Sequence, residues 1–293
     1  MRHRRLANLW LAIAVAWPVF AQAAPASMPV QTVIYPRSES LVDARDDYPV
    51  ELLALALRKS NKAYELAPHP VFMLQVRQLV EVEQGKGLDV MWTMTSVDRE
   101  KTLLPIRIPI DRGLLGWRLL LVRSQSLPKF AALTSPGQLK QLRAGQGFDW
   151  PDTAILKQAG FEVDESVRYG EIFLKLAGGR IDYFPRSVQE IWSELAQHGD
   201  AAFAVEPSMA LHYLAAMYFF VNRKNTALAA DIERGLERAL ADGSFEALFQ
   251  RHFGTALKRA ALDKRRVLEL ANPLLPPETP LTSRQFWYQP KRP

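Results

Sequence analysis

The stretch Gly87-Leu88-Asp89-Val90-Met91-Trp92-Thr93-Met94-Thr95-Ser96-Val97-Asp98-Arg99 decides the fold of this chain. Its apolar run at 88–92, entered through glycine, predicts a buried strand. A polar turn with the hydroxyls of Thr93 and Thr95 follows, and Arg99 comes directly after it. A guanidinium placed there can hold a carboxylate or phosphate through two parallel hydrogen bonds. It can equally pair with an acidic neighbour on the surface, and the spacing leaves both interpretations open.

Upstream of this strand, segments with strand and helix patterns alternate. Residues 31–35 and 64–67 have the composition of strands, and residues 72–83 are helical in pattern. Pro49 opens another helix, in which residues 50, 53, 54 and 57 are apolar at the spacing of one helix face. This β-α-β-α-β order predicts a largely parallel sheet covered by helices.

A second cycle of the same kind follows. It contains a strand at 117–122, residues 139–143 that run into Gly145-Gln146-Gly147, a helix from Pro151, a strand at 181–184 and an apolar strand at 217–221. Two such sections, joined by the strands at 117–122 and 217–221, predict two lobes with two crossings between them. Ligands of open α/β sheets bind at the carboxyl ends of strands. The loops after residues 35, 92, 147 and 184 are therefore predicted to line a cleft.

The N-terminus has the pattern of an export signal. A start with three arginines precedes an apolar stretch at 6–20, and Ala21-Gln22-Ala23 predicts cleavage near Ala23. The leader carries three of the 37 basic residues and none of the 31 acidic ones, so 34 minus 31 leaves a mature charge of +3 instead of +6. This small excess does not favour nucleic-acid binding. We expect a soluble, monomeric protein in the periplasm.

Composition and spacing exclude several kinds of functional site. Cysteine is absent, which excludes disulfides, thiolate metal sites, a thiol nucleophile and a lipoprotein anchor. The five histidines lack metal-ligand spacing, and there is no G-x-S-x-G or phosphate-binding loop. Asp43, Asp46 and Asp47 lack the spacing of a calcium loop. We therefore expect neither a metal nor a cofactor.

Two further places combine polar and aromatic residues where the cleft is predicted. Asp149 and Trp150 open a helix, whose free N–H groups favour an anion and whose indole can stack on a ligand. Tyr183 and Arg186 come at the end of the strand at 181–184. Trp150 can instead pack in the core and Arg186 can be solvated, so these alternatives stay open.

Four motifs, in this order, resemble those of periplasmic solute-binding proteins of the amino-acid-binding type, the extracellular solute-binding family 3. Together they cover nearly the whole mature chain. They are Gly87-Leu88-Asp89-Val90 through Asp98-Arg99-Glu100, Leu139 to Gly147, Gly179-Arg180-Ile181-Asp182, and Asp242-Gly243-Ser244-Phe245 with Leu248, His252 and Phe253.

The resemblance implies an α/β chain with the two-lobe periplasmic binding protein type II fold and a two-strand hinge. Lobe 1 would be residues 24–119 with 222–272, lobe 2 would be residues 120–221, and a proline-rich tail would follow at 273–293. Arg99 would hold the ligand's carboxylate. The other residues expected at the ligand are Thr95, Thr93, Tyr35, Trp150, Asp149, Tyr183 and Arg186.

The chain also departs from the family. Amino-acid binders usually carry an acid a few residues after "G-R-x-D" to receive the ligand's ammonium group, and Pro185-Arg186-Ser187 supplies none. Asp47 or Asp149 would then have to receive the ammonium group. Two arginines and several aromatic residues favour a ligand with net negative charge.

We therefore expect a binding protein for a small anionic or zwitterionic organic solute, working with the membrane permease of an ABC transporter. A sensory module that signals to a membrane receptor is the alternative. A third possibility is a dehydratase-like enzyme on the same scaffold, with Asp149 or Asp182 as its general acid or base.

Overall fold

The structure, a computed structural model, describes residues 30–38, 46–199 and 201–290. The predicted leader and Asp43 lie outside these residues. Among the described residues, the strands are β1 Gln31–Tyr35, β2 Tyr64–Pro68, β3 Val90–Met94, β4 Leu103–Ile106, β5 Trp117–Arg123, β6 Arg143–Gly147, β7 Glu162–Ser166, β8 Tyr183–Ser187, β9 Phe203–Val205, β10 Met209–His212, β11 Met217–Asn222 and β12 Arg266–Glu269. The helices are α1 Asp47–Arg58, α2 Gln75–Gln84, α3 Val97–Thr102, α4 Leu127–Ala131, α5 Pro136–Lys140, α6 Pro151–Gln158, α7 Tyr169–Ala177, α8 Ile191–His198, α9 Thr226–Ala241 and α10 Ser244–Ala260.

The first lobe contains the first four strands of the chain together with β11. β11 lies between β3 and β4 and pairs antiparallel with both, while β1 pairs parallel with β2. Asp89 joins the two groups, because its N–H donates to the Ile34 carbonyl at 2.9 Å and its carboxylate accepts the Ile34 N–H at 2.8 Å. Helices α1, α9 and α10 pack over this lobe. A Cβ at Gly235 of α9 would lie only 1.9 Å from the Ala56 carbonyl oxygen, so glycine permits this close helix contact.

The second lobe is a seven-stranded mixed sheet. Its order is β12-β10-β5-β8-β6-β7, and β9 pairs with β5 beside β10. The long central strand β5 is almost entirely buried and pairs antiparallel with β8. One face of this sheet packs on a separate cluster that contains Leu120, Val122, Phe130 and Tyr183. The alternating β and α segments of the sequence therefore do form two α/β lobes.

The crossings between the lobes lie outside the strands that the sequence suggested for them. β5 belongs wholly to the second sheet and β11 wholly to the first, so the chain crosses at 107–116 and again at 213–216. The apolar pattern of residues 217–221 shows that this strand is buried, but it carries no information about which sheet it joins. In the first crossing, the buried Asp111 accepts the N–H groups of Gly113 at 3.0 Å and Leu115 at 2.8 Å.

The end of the chain adds two more crossings. After α10, strand β12 joins the edge of the second sheet by pairing parallel with β10. Residues 270–290, the C-terminal strap, then return to the first lobe. Asn272 Nδ2 donates to the Leu214 carbonyl at 2.8 Å, and the Tyr288 N–H donates to the Arg112 carbonyl at 2.7 Å, so the strap binds both of the earlier crossings. The sequence indicated only a proline-rich tail at 273–293, without these contacts.

Trp287 anchors the strap. Its side chain is 7% exposed and packs in the cluster that contains Tyr218 and Phe220 of β11. Its ring lies so close to Gly113 that a Cβ there would approach it to 2.6 Å, and Gly113 has a φ of +73°. The indole N–H donates to the Pro280 carbonyl at 3.0 Å. In the described part of the chain, no helix has the length and hydropathy needed to cross a bilayer.

Candidate functional site

A cavity of about 580 Å³ lies between the two lobes. Sites for small molecules have volumes of about 300–1,000 Å³. The loops after β1 and β6 and the ends of β3 and β8 all reach it, as expected for the carboxyl ends of strands. On the first-lobe side the wall includes Asp47, Phe72, Gln75, Trp92, Thr93 and Met94, and on the second-lobe side it includes Arg118, Trp150, Asp152, Arg186 and Glu190.

Arg99 lies directly behind the first-lobe wall. The Ser96 hydroxyl caps α3 by accepting the Arg99 N–H at 3.2 Å, which fixes the start of the helix. The guanidinium donates to Thr93 Oγ1 at 2.6 Å, to the Met94 carbonyl at 2.7 Å and to Gln75 Oε1 at 2.5 Å. All these acceptors are neutral, and no carboxylate of the described residues forms an ion pair with Arg99.

The electrostatic state of Arg99 reflects this position. Burial lowers its pKa to about 10, against the opposing effect of the carboxylates of Asp149 and Asp152 in the second lobe. At neutral pH the side chain is therefore still a cation. A partly desolvated charge without an ionic partner is costly, so Arg99 can attract an anionic group near the cavity.

Arg186 lines the second-lobe side, but its charge is already compensated. Its Nε and Nη2 donate to the two carboxylate oxygens of Glu194 at 2.7 and 2.5 Å, and Glu190 lies 3.2 Å away. The guanidinium also lies over the rings of Trp150 and Phe184, at 5.0 and 4.7 Å from their centroids. Burial alone would lower the pKa of Arg186, but Glu190 and Glu194 outweigh it and hold that pKa well above its usual value.

Arg118 forms a second compensated centre that the sequence argument missed. It forms an ion pair with Asp152, donates from Nε to the Tyr213 hydroxyl at 2.8 Å, and lies 3.4 Å from Glu190. Tyr213, in the second crossing, also donates to Asp152. The signal was an arginine inside the apolar strand β5, where a charge must have a buried partner. Both arginines of the second-lobe wall are thus neutralised within the protein.

Solved structures resemble this architecture over most of the chain, although no family model and no curated protein matches its sequence. A probable amino-acid ABC transporter extracellular-binding protein of Bacillus subtilis is 19% identical, with a TM-score of 0.59, over 78% of this chain and 98% of that one. An arginine-specific periplasmic binding protein of Salmonella typhimurium is 15% identical, with a TM-score of 0.57, over 76% of this chain and 99% of that one. The periplasmic VFT2 domain of BvgS from Bordetella pertussis is 15% identical, with a TM-score of 0.59, over 78% of this chain and 94% of that one.

This chain has the type II periplasmic binding protein fold. The likeness covers the comparison chains almost whole and leaves about a fifth of this chain without a counterpart. The fold expected from the order of sequence motifs is therefore confirmed.

Within this type II fold, the structure brings only part of the predicted site residues together. Thr93 and Trp150 line the cavity. Tyr35 stands behind the wall, where its ring contacts the Trp92 ring at 6.1 Å between centroids. Thr95 lies elsewhere, because it is fully buried and its hydroxyl donates to Glu100 at 2.6 Å. Asp149 is half-buried and affects the site through its charge on Arg99.

Tyr183 does not reach the cavity of this type II fold. It is fully buried in the core of the second lobe, with its ring edge-on to Phe130 at 6.1 Å. The reason is strand geometry, since successive side chains of β8 point to opposite faces and Tyr183 and Arg186 are three residues apart. Only Arg186 therefore lies on the cavity side. That alternation is readable in the sequence and could have separated the two.

The sequence has no acid directly after its "G-R-x-D" segment to receive a ligand's ammonium group, but the structure brings other acidic residues to the cavity. Ser187 is buried and donates to the Leu114 carbonyl at 2.9 Å, while Glu190, one turn further on, lines the cavity. Asp47 lines it from the first lobe. Asp182 lies apart, bonded to Lys129 and to the Arg143 N–H at the other end of its strand.

Proposed function

We propose that this protein is a solute-binding protein of the periplasm that holds a small zwitterionic organic solute between its lobes. One observation carries the proposal: among the described residues, the half-buried guanidinium of Arg99 has only neutral partners, and it lies directly behind the cavity wall. A ligand carboxylate would supply the missing counter-charge. The cavity volume of about 580 Å³ lies within the usual range of small-molecule sites.

The charge pattern narrows the solute class. The sequence favoured a net negative ligand because two arginines were expected to face it, but Glu194 and Glu190 compensate Arg186. Apart from the ion pairs of Arg118 and Arg186, the cavity is lined by the cations Arg37 and Arg259 and by the acidic residues Asp46 and Asp47, with Arg99 behind its wall. The lining therefore offers both positive and negative groups. A solute that carries a positive group as well as a carboxylate fits this pattern better than a simple anion.

A thermal-shift screen of the purified mature chain tests this function. The panel contains L-arginine, L-glutamine, L-cystine, other amino acids, dicarboxylates and polyamines, each carboxylate being paired with its carboxamide. A ligand that prefers the folded state raises the melting temperature by mass action. We expect a zwitterion to do so, and calorimetry then gives its affinity. If no carboxylate raises the melting temperature, the proposal is refuted.

Arg99→Ala supplies the site-specific test. Loss of a buried ion pair weakens binding by about 2–5 kcal/mol, or roughly 30-fold or more. Lys101→Ala is the matched control, because Lys101 is an exposed cation on the same short helix. Equal affinity in Arg99→Ala and the wild type would remove Arg99 from the site. Mass analysis of the solute after incubation checks for turnover, which we do not expect.

The route that the bound solute serves has two candidates. The B. subtilis protein is a probable ABC transporter extracellular-binding protein, whereas the B. pertussis structure is a periplasmic VFT2 domain of BvgS. Both match this chain with a TM-score of 0.59. We favour delivery to a membrane permease, with signalling to a membrane receptor as the alternative. Co-purification of the liganded protein with a permease and ATPase pair would support the first, and with a kinase or cyclase the second.

A further inference from the structure

Gln75 occupies the edge of Arg99 that faces the cavity wall. It is the first residue of α2, and its Oε1 accepts a hydrogen bond from Arg99 Nη2 at 2.5 Å. The other donor, Nη1, is held by Thr93 Oγ1 and the Met94 carbonyl at 2.6 and 2.7 Å. Gln75, Thr93 and Met94 all line the cavity, and Arg99 lies behind them.

The two sides of this guanidinium differ in how easily they can be released. The Met94 carbonyl is part of β3, and Thr93 is a short, buried side chain, so neither can move far. Gln75 has a longer and only half-buried side chain at the first residue of α2. Its amide oxygen has the shape of one carboxylate oxygen but not the charge. A carboxylate therefore adds an attraction between opposite charges that the neutral amide oxygen of Gln75 lacks.

We propose that Gln75 is a displaceable cover on Arg99 and thereby a positioning residue that sets selectivity for carboxylates. This inference rests on the proposed solute-binding function. A ligand carboxylate takes Nη2 from the Gln75 amide oxygen, because its charge makes the stronger bond. A carboxamide or hydroxyl gains nothing by the exchange and leaves Gln75 in place. The cover thus rejects neutral analogues of the solute.

The test compares Gln75→Ala, Gln75→Glu and Gln78→Ala with the wild type. Gln78 is the matched control, since it lies on the same helix, lines the same cavity and donates to the Met73 carbonyl at 2.8 Å instead of binding Arg99. Each protein is titrated with L-glutamine, L-arginine and their carboxamides, and with any other panel member that binds the wild type. The readout is the affinity ratio of each carboxylate to its own carboxamide.

We expect opposite effects from the two Gln75 variants. Gln75→Ala removes the competitor and should bind the carboxylate about tenfold tighter. Gln75→Glu places a carboxylate of the protein on Arg99 and should weaken the solute by about 100-fold or more, with the ratio falling towards one. A glutamate at the start of a helix is favourable, so this variant is expected to fold. Gln78→Ala should keep the wild-type ratio.

Two results would overturn the inference in different ways. If the wild type binds a carboxylate and both Gln75 variants keep its affinity and ratio, or both weaken it alike, Gln75 is no cover and the proposed function stands. If neither the wild type nor Gln75→Ala binds any carboxylate, the proposed function fails and the inference falls with it. Melting temperatures of all four proteins without solute exclude misfolding as the cause.

Discussion

Replacing Glu194 by leucine should destabilise the protein strongly, because it removes the main carboxylate partner of the buried cation Arg186. The side chains of Glu194 and Arg186 are each 2% exposed, and two hydrogen bonds join them. Glu194→Leu leaves Arg186 with Glu190 at 3.2 Å as its remaining carboxylate. Removing one partner of a buried ion pair costs about 3–5 kcal/mol.

The double variant Arg186→Met with Glu194→Leu isolates the cause. Replacing a whole buried ion pair by apolar side chains of similar size is often neutral or stabilising. We therefore expect the double variant to recover most of the stability lost by the single one. This comparison separates the stranded charge from a simple packing defect, which the double variant would retain.

Calorimetry and urea unfolding measure both effects. For a chain of this size, 3–5 kcal/mol corresponds to a fall in melting temperature of roughly 6–20 °C. A loss below about 1 kcal/mol in Glu194→Leu would mean that water reaches Arg186. A double variant no more stable than the single one would show that the pair is not the reason for the loss. Either result would refute the conclusion that Glu194 compensates the charge of Arg186 in the second-lobe wall.

Three further predictions concern stability. Trp287→Ala should cost about 3–5 kcal/mol in urea unfolding by emptying the strap's buried anchor, whereas exposed Leu281→Ala should be neutral; equal effects would contradict the anchoring. Burial raises the pKa of Asp111 to about 6, so its contribution to stability is complete below about pH 4 and is lost as the pH rises through 6. Asp111→Asn should abolish this fall of about 3 kcal/mol, measured as the difference in unfolding free energy between pH 4 and pH 7, and an unchanged pH profile would exclude Asp111. Gly235→Ala should lower the melting temperature because its Cβ would meet a backbone oxygen, while Gly170→Ala, with open space around it, should not; no difference between the two would refute the close helix contact.

Local patterns predicted much of the fold. The helix opened at Pro49, the strand at 64–67 and the strand at 117–122 appear as α1, β2 and β5 with bounds that differ by a residue or two. Each was recognised from spacing within a single segment. Sheet membership is a different kind of information, because it depends on which distant strand offers a partner. The position of β11 and the return of the strap could not be read from their own residues.

The site was predictable only as far as single residues reveal it. Thr93 lies at a strand end, and Arg99 and Trp150 follow strand ends by a few residues. The sequence pattern suggested a cleft there, and the structure places all three at or behind the cavity wall. The ion pair of Arg186 with Glu194 joins a strand to the helix after it. Neither residue shows in the sequence that its charge is compensated within the protein. Gln75 is one amide among many in the sequence, and only its contact with Arg99 distinguishes it.

The order of strands along the chain also has a consequence for biosynthesis. The middle strand of the first sheet, β11, and the edge strand of the second, β12, both come late in the sequence. A nascent polypeptide that stops before Met217 therefore lacks a full sheet in either half, and such distant pairings slow folding. Folding of both lobes is therefore completed only when synthesis is nearly finished.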